Sequence, residues 1–104
     1  MKIEFLYFEG CPSHEPALSL LKQVLKEKKI KERINVIEIK SEDDARKYNF
    51  FGSPSIHING RDIEEERKND KYLYGCRIYR TDKGTSGVPS KNMIEDAVEL
   101  YKNS

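Results

Sequence analysis

The sequence predicts an α/β domain with the element order β-α-β-α-β-β-α. Three observations carry this. A compact apolar run, Ile3 to Phe8, leads through Gly10-Cys11-Pro12-Ser13-His14 into a long amphipathic segment. A β-branched block, Ile34 to Ile39, follows closely, so strand, helix and strand form a right-handed βαβ unit. A further apolar face, Met93, Ile94, Ala97, Val98 and Tyr101, repeats at helical spacing after Ser90.

Each element has a local reason. Residues 2 to 8 read as a strand buried on both faces, with Ile3, Phe5 and Tyr7 on one side and Leu6 and Phe8 on the other. The next helix carries Ala17, Leu20, Leu21, Val24 and Leu25 as one stripe, with Leu18 at its border. Pro12 and Pro16 are tolerated because they sit at or within its first turn. The lysines from Lys26 to Lys31 suit its negative end.

After the 34–39 strand, Ser41-Glu42-Asp43-Asp44 opens a short helix with a capping-box-like pattern, ending near Tyr48-Asn49. Ser53 to Ile58 is a third strand that begins at a Ser-Pro bond, and Asn59-Gly60 is a turn signal. Two segments compete to pair with it. Arg61-Asp62-Ile63 would close a tight hairpin but is a poor strand former. Tyr72 to Tyr79, reached across a charged loop, is favoured on propensity. Asp82 to Pro89 reads as a loop, and Ser90 caps the last helix.

Length and composition narrow the class. The 104 residues fit one domain, 1–104, with one core. Charged residues make up 36% of the chain, yet the apolar ones cluster periodically, as a folded domain with a charged shell requires. A net charge of +1 gives no general attraction to nucleic acid or anionic membrane. Charge runs such as Lys26 to Lys29 and Glu64 to Lys68 read as solvated faces.

Two cysteines are too few for a disulfide framework and lack the spacing of a zinc knuckle. No segment reaches membrane-span length, and the run at residues 3–8 is too short and too acidic for a signal peptide. A cytoplasmic protein with reduced thiols is expected.

The candidate chemistry centres on Cys11. A cysteine between a strand end and a helix mouth faces unpaired N–H groups and the positive end of the helix dipole, which favours its thiolate. The alternative is a small buried cysteine filling a junction. His14, three residues on, can meet Cys11 within the first helical turn, either stabilising a thiolate or taking its proton. The helix dipole opposes a charged imidazole there, leaving a plain surface histidine as the alternative. His57 faces away from Ile56 and Ile58 and reads as a packed strand histidine.

The thiol at the first strand–helix junction and the X-Pro opening the third strand resemble the thioredoxin-like fold over nearly the whole chain. The blocks YFEGCPSHEPAL, FGSPSIHINGRD and GCRIYRTDKG are similar to those of small bacterial and archaeal thioredoxin-like proteins, some linked by name to mercury detoxification. Nothing in the residues selects mercury over any other soft electrophile. The resemblance implies a central mixed four-stranded sheet with helices on both faces. It places Cys11-Pro12-Ser13-His14 at the C-x-x-C position, with His14 replacing the resolving cysteine. Ser53-Pro54 falls at the cis-proline position, whose backbone groups would dock an extended substrate.

On that topology Cys76 lies early in a strand that starts at the far end of the sheet. With about 4.8 Å between strands and about 3.3 Å per residue, its separation from Cys11 is expected to exceed about 10 Å. Cys76 is the only internal candidate for a second thiol, but on this topology it reads as core or edge packing. The 84–89 loop is expected back near the thiol, where Thr85, Ser86 and backbone N–H groups could hold an anionic group, or simply form a capped helix entrance.

Three functions follow. The first is a one-cysteine thiol–disulfide oxidoreductase, with Cys11 and His14 catalytic and Ser53, Pro54, Thr85 and Ser86 binding the substrate. Its partner would be a thiol or disulfide, protein or small molecule. It would need no resident cofactor or metal, and an external thiol such as glutathione would act as co-substrate. The second is a soft-metal or metalloid thiolate module, and the third a non-catalytic interaction domain. Oligomeric state carries no sequence signal.

Overall fold

The structure, a computed structural model, describes residues 1–64 and 71–102. The strands are β1 (Ile3–Tyr7), β2 (Ile34–Glu38), β3 (Phe51–Ser53), β4 (Ser55–Ile58), β5 (Arg61–Asp62), β6 (Leu73–Cys76), β7 (Tyr79–Thr81) and β8 (Gly84–Ser86). The helices are α1 (His14–Glu27), α2 (Glu42–Lys47) and α3 (Lys91–Tyr101). The charged loop expected before Tyr72 lies mostly outside the described residues.

The main sheet has four strands in the order β2-β1-β4-β5. β1 pairs in parallel with β2 and antiparallel with β4, so the sheet is mixed and the chain is α/β. The alternation of β1 divides two cores. Ile3 and Phe5 pack with Ala17, Leu21 and Val24 of α1 and Ile94, Ala97 and Val98 of α3. Leu6 packs on the opposite face with Ile39, Ala45 and Phe50, beneath α2.

The caps follow the sequence. The Ser41 hydroxyl accepts from Asp44 N–H at 3.1 Å, and the Ser90 hydroxyl from Met93 N–H at 3.2 Å. Ser13 sits at the N-cap of α1 without a side-chain cap bond.

Two expectations about the second half of the chain are corrected. The strand beside β4 is β5, closed by the Asn59-Gly60 turn with His57 opposite Asp62. The Tyr72–Tyr79 segment does not join the main sheet. It divides into β6, which pairs in parallel with β3, and β7, which forms a hairpin with β8.

A buried side chain explains why Arg61-Asp62 wins over its weak propensity. Asp62 accepts two bonds from Arg77, at 2.7 and 3.1 Å, and this tie offsets what the short strand lacks. Glu64, expected on a solvated face, is buried and accepts from Arg77 at 3.0 Å. Residues 82–89, expected as loop throughout, contain β8.

Candidate functional site

Ser53 is the hub of the site. The Ser53–Pro54 bond is cis, and Ser53 is fully buried where β3 ends. Its hydroxyl accepts from Phe8 N–H at 3.0 Å, which ties it to the end of β1. Its carbonyl accepts from the Cys11 thiol at 3.4 Å and from Arg77 N–H at 3.0 Å. Both lone pairs of that carbonyl are therefore used, one by each half of the chain.

This shared acceptor brings two thiols together. Cys76, the residue before Arg77, pairs with Ser53 in the β3–β6 register. Its thiol is near enough to Cys11 for Cys11 to be the largest influence on it. The separation of more than about 10 Å expected from strand order is thus corrected. The expectation placed Cys76 in a strand antiparallel to β4, whereas β6 runs parallel to β3 and reaches the Ser53 end of the sheet. Cys11 is buried, at 2% exposure, and Cys76 is exposed; neither is in a disulfide. The Cys76 thiol is pushed above its ordinary range, first by its interaction with the neighbouring Cys11 thiol, then by burial and by the charge Cys11 would carry.

The other expected site residues are arranged differently. His14 stacks on Tyr7 with ring centroids 4.7 Å apart, and among the described residues no hydrogen bond joins it to Cys11. The Pro54 carbonyl accepts from Tyr79 OH, so the Ser53-Pro54 acceptors are engaged within the chain. Thr85 and Ser86 lie on β8, where the Ser86 hydroxyl accepts from Val88 N–H at 3.1 Å. The turn after them does return to the mouth of α1. A Cβ on Gly87 would fall 2.5 Å from the Ser13 hydroxyl, so a larger residue there would have to turn that hydroxyl aside.

Sequence reasoning missed the groups that hold β6 in place. Arg77 is 3% exposed and binds Asp62, Glu64 and the Ser55 hydroxyl, with its guanidinium 4.2 Å from the Tyr79 ring. Burial disfavours its charge, but Tyr79, Asp62 and Glu64 together hold the guanidinium protonated beyond its ordinary range. Gly52, at φ +109°, lets the Arg77 backbone approach; a Cβ there would lie 2.7 Å from Arg77 Cβ. The signal for this clamp was an arginine inside an apolar block, a charge that needs buried acids if the block is a strand.

His57 is buried between Glu4 and Asp62, at 3.9 and 3.8 Å, and among the described residues its Nε2 has no hydrogen-bond partner. Desolvation pushes its pKa below the ordinary 6.5, against the pull of Asp62 and Glu4. Phe8, just after β1, and Tyr74 of β6 meet edge to face at 5.3 Å.

Among the described residues no group of three or more His, Cys, Asp or Glu side chains is arranged to hold a metal ion. No helix among them is long and apolar enough to cross a membrane. Comparison of the chain with protein-family models, with curated proteins and with solved structures finds no match.

Proposed function

We propose that this chain is a thiol–disulfide oxidoreductase whose working pair is Cys11 and Cys76. The observation that carries the proposal is the convergence of both cysteines on Ser53, the Cys11 thiol on its carbonyl and Cys76 opposite it in the β3–β6 register. The one-cysteine cycle read from the sequence becomes a two-cysteine cycle within the chain. A thiolate of the pair attacks a substrate disulfide and forms a mixed disulfide, and the first substrate sulfur leaves as a thiolate that takes a proton from water. The second cysteine loses its proton to solvent and attacks the mixed disulfide. The second substrate sulfur leaves, and Cys11 and Cys76 are joined. Two electrons pass from the pair to the substrate. An external dithiol, or two molecules of a thiol such as glutathione, returns them by the same exchange.

The strand order β2-β1-β4-β5 and the cis Ser53–Pro54 bond support placing the chain with the thioredoxin-like proteins its motifs resemble. In that setting Ser53 acts as a spacer that fixes the two sulfurs, since its carbonyl is saturated by Cys11 and Arg77. The thiol pair also supports the second reading, a site for a soft metal ion bound by two thiolates. Native mass spectra of the reduced chain separate the two, because a retained soft ion that blocks thiol exchange favours the metal reading.

Catalysed reduction of a disulfide-bonded polypeptide by dithiothreitol tests the proposal. The wild-type chain is expected to exceed the uncatalysed rate, and Cys11→Ser and Cys76→Ser to fall to it. Undiminished activity in both variants would overturn the proposal.

A further inference from the structure

We infer that Cys76 is the thiol that meets the substrate, that Cys11 is the resolving thiol, and that the substrate is a disulfide flanked by apolar or aromatic groups. This deepens the dithiol reading above and rests on it. The order is the reverse of that implied by the position of Cys11 at the helix mouth.

Access sets the order. Disulfide exchange depends on whether the attacking sulfur can reach the disulfide. Cys11 is 2% exposed, its thiol is bonded to the Ser53 carbonyl, and its own N–H is tied to the Phe8 carbonyl at 3.0 Å. An incoming disulfide cannot reach that sulfur without displacing the chain around it. Cys76 ends β6 and is exposed. Once Cys76 carries the substrate, its sulfur is already beside Cys11, which needs no access to solvent for the second step.

The surroundings of Cys76 define the substrate. Tyr74 lies two residues earlier on β6. It packs on Phe8 and remains 40% exposed. Leu73 and Ile78, on either side along the chain, are 45% and 59% exposed. Arg77, the charged neighbour, turns inward to Asp62 and Glu64. The exposed thiol thus lies in a stretch of chain that leaves aromatic and aliphatic side chains exposed, and these gain free energy by covering an apolar substrate flank.

The covalent steps balance as follows. The Cys76 proton goes to solvent and its sulfur attacks the substrate disulfide, releasing one substrate thiolate. Cys11 then gives its proton to solvent and attacks the Cys76 sulfur, releasing the other. The products are two substrate thiols and one Cys11–Cys76 disulfide.

Reaction with 4,4′-dithiodipyridine tests the order, with intact mass and release of thiopyridone as readouts and circular dichroism to confirm that each variant is folded. The wild-type chain should release two thiopyridones and end as an intrachain disulfide. Cys11→Ser should release one quickly and retain a stable adduct on Cys76, and Cys76→Ser should react slowly. A fast, stable adduct on Cys11 in Cys76→Ser, with Cys11→Ser slow, would overturn the order and leave the dithiol function standing. Two adducts on the wild-type chain with no intrachain disulfide would overturn both.

Limiting iodoacetamide on the wild-type chain, followed by peptide mapping, checks the order without any variant. Cys76 should be labelled first, and prior labelling of Cys11 contradicts it. For the substrate class, each rate is divided by that of the same disulfide with a free small thiol. The aromatic disulfide should then outrun oxidised glutathione, and equal normalised rates would overturn the apolar preference.

Discussion

Cys11 and Arg77 donate to the same atom. The Cys11 thiol and the Arg77 backbone N–H meet at the Ser53 carbonyl, at 3.4 and 3.0 Å. Because Arg77 follows Cys76, this one acceptor fixes both cysteines relative to each other. The inward Arg77 side chain, bound to Asp62 and Glu64, prevents β6 from sliding along β3.

The influence of Cys11 predicts how Cys76 titrates. Its largest upward influence is Cys11, so in the wild-type chain Cys76 should alkylate with a midpoint above that of an ordinary thiol. Cys11→Ala removes that influence and should move the midpoint down. Alkylation rates across pH, followed by peptide mass, check this; an unmoved midpoint contradicts it.

The Arg77 clamp predicts a large stability effect. Arg77→Met removes the buried guanidinium that Asp62 and Glu64 share, at a cost of about 3–5 kcal/mol. Combining it with Asp62→Leu and Glu64→Leu removes both buried carboxylates and should recover most of the loss. Urea unfolding of the single and triple variants is the measurement.

His57 predicts a pH effect in a defined window. Burial outweighs Asp62 and Glu4, while Arg77 and Lys2 push the same way as burial, so the folded pKa lies below 6.5. As pH falls below 6.5, the unfolded chain takes up a proton that folded His57 refuses. Stability is therefore full above that pH and declines below it, by at most about 1.4 kcal/mol per pH unit. His57→Gln should flatten the decline between pH 6.5 and 5, read from urea midpoints; equal slopes would contradict this account.

Local physics made the first half of the chain legible. The alternation of Ile3 to Phe8, the stripe on α1 and the caps at Ser41 and Ser90 each state their structure within a few residues. The position of Cys76 was not legible because it depends on a tie between residues distant in sequence. Asp62 is a poor strand residue until Arg77 is buried against it, and no local pattern announces that pairing. Propensity therefore favoured Tyr72 to Tyr79 for the main sheet and carried Cys76 to its far end. The same long-range tie brings Cys76 to the Ser53 end of β3, where the Cys11 thiol also binds.

The measurement that tests the central claim most directly is redox equilibration of the native chain in mixtures of reduced and oxidised glutathione. The samples are then acid-quenched, alkylated and measured by intact mass. The account predicts one transition from a chain carrying two alkyl groups to a chain carrying none, with peptide mapping recovering a Cys11–Cys76 cross-link. Two free thiols up to the oxidising limit, or glutathione retained on either cysteine in place of the cross-link, would contradict it.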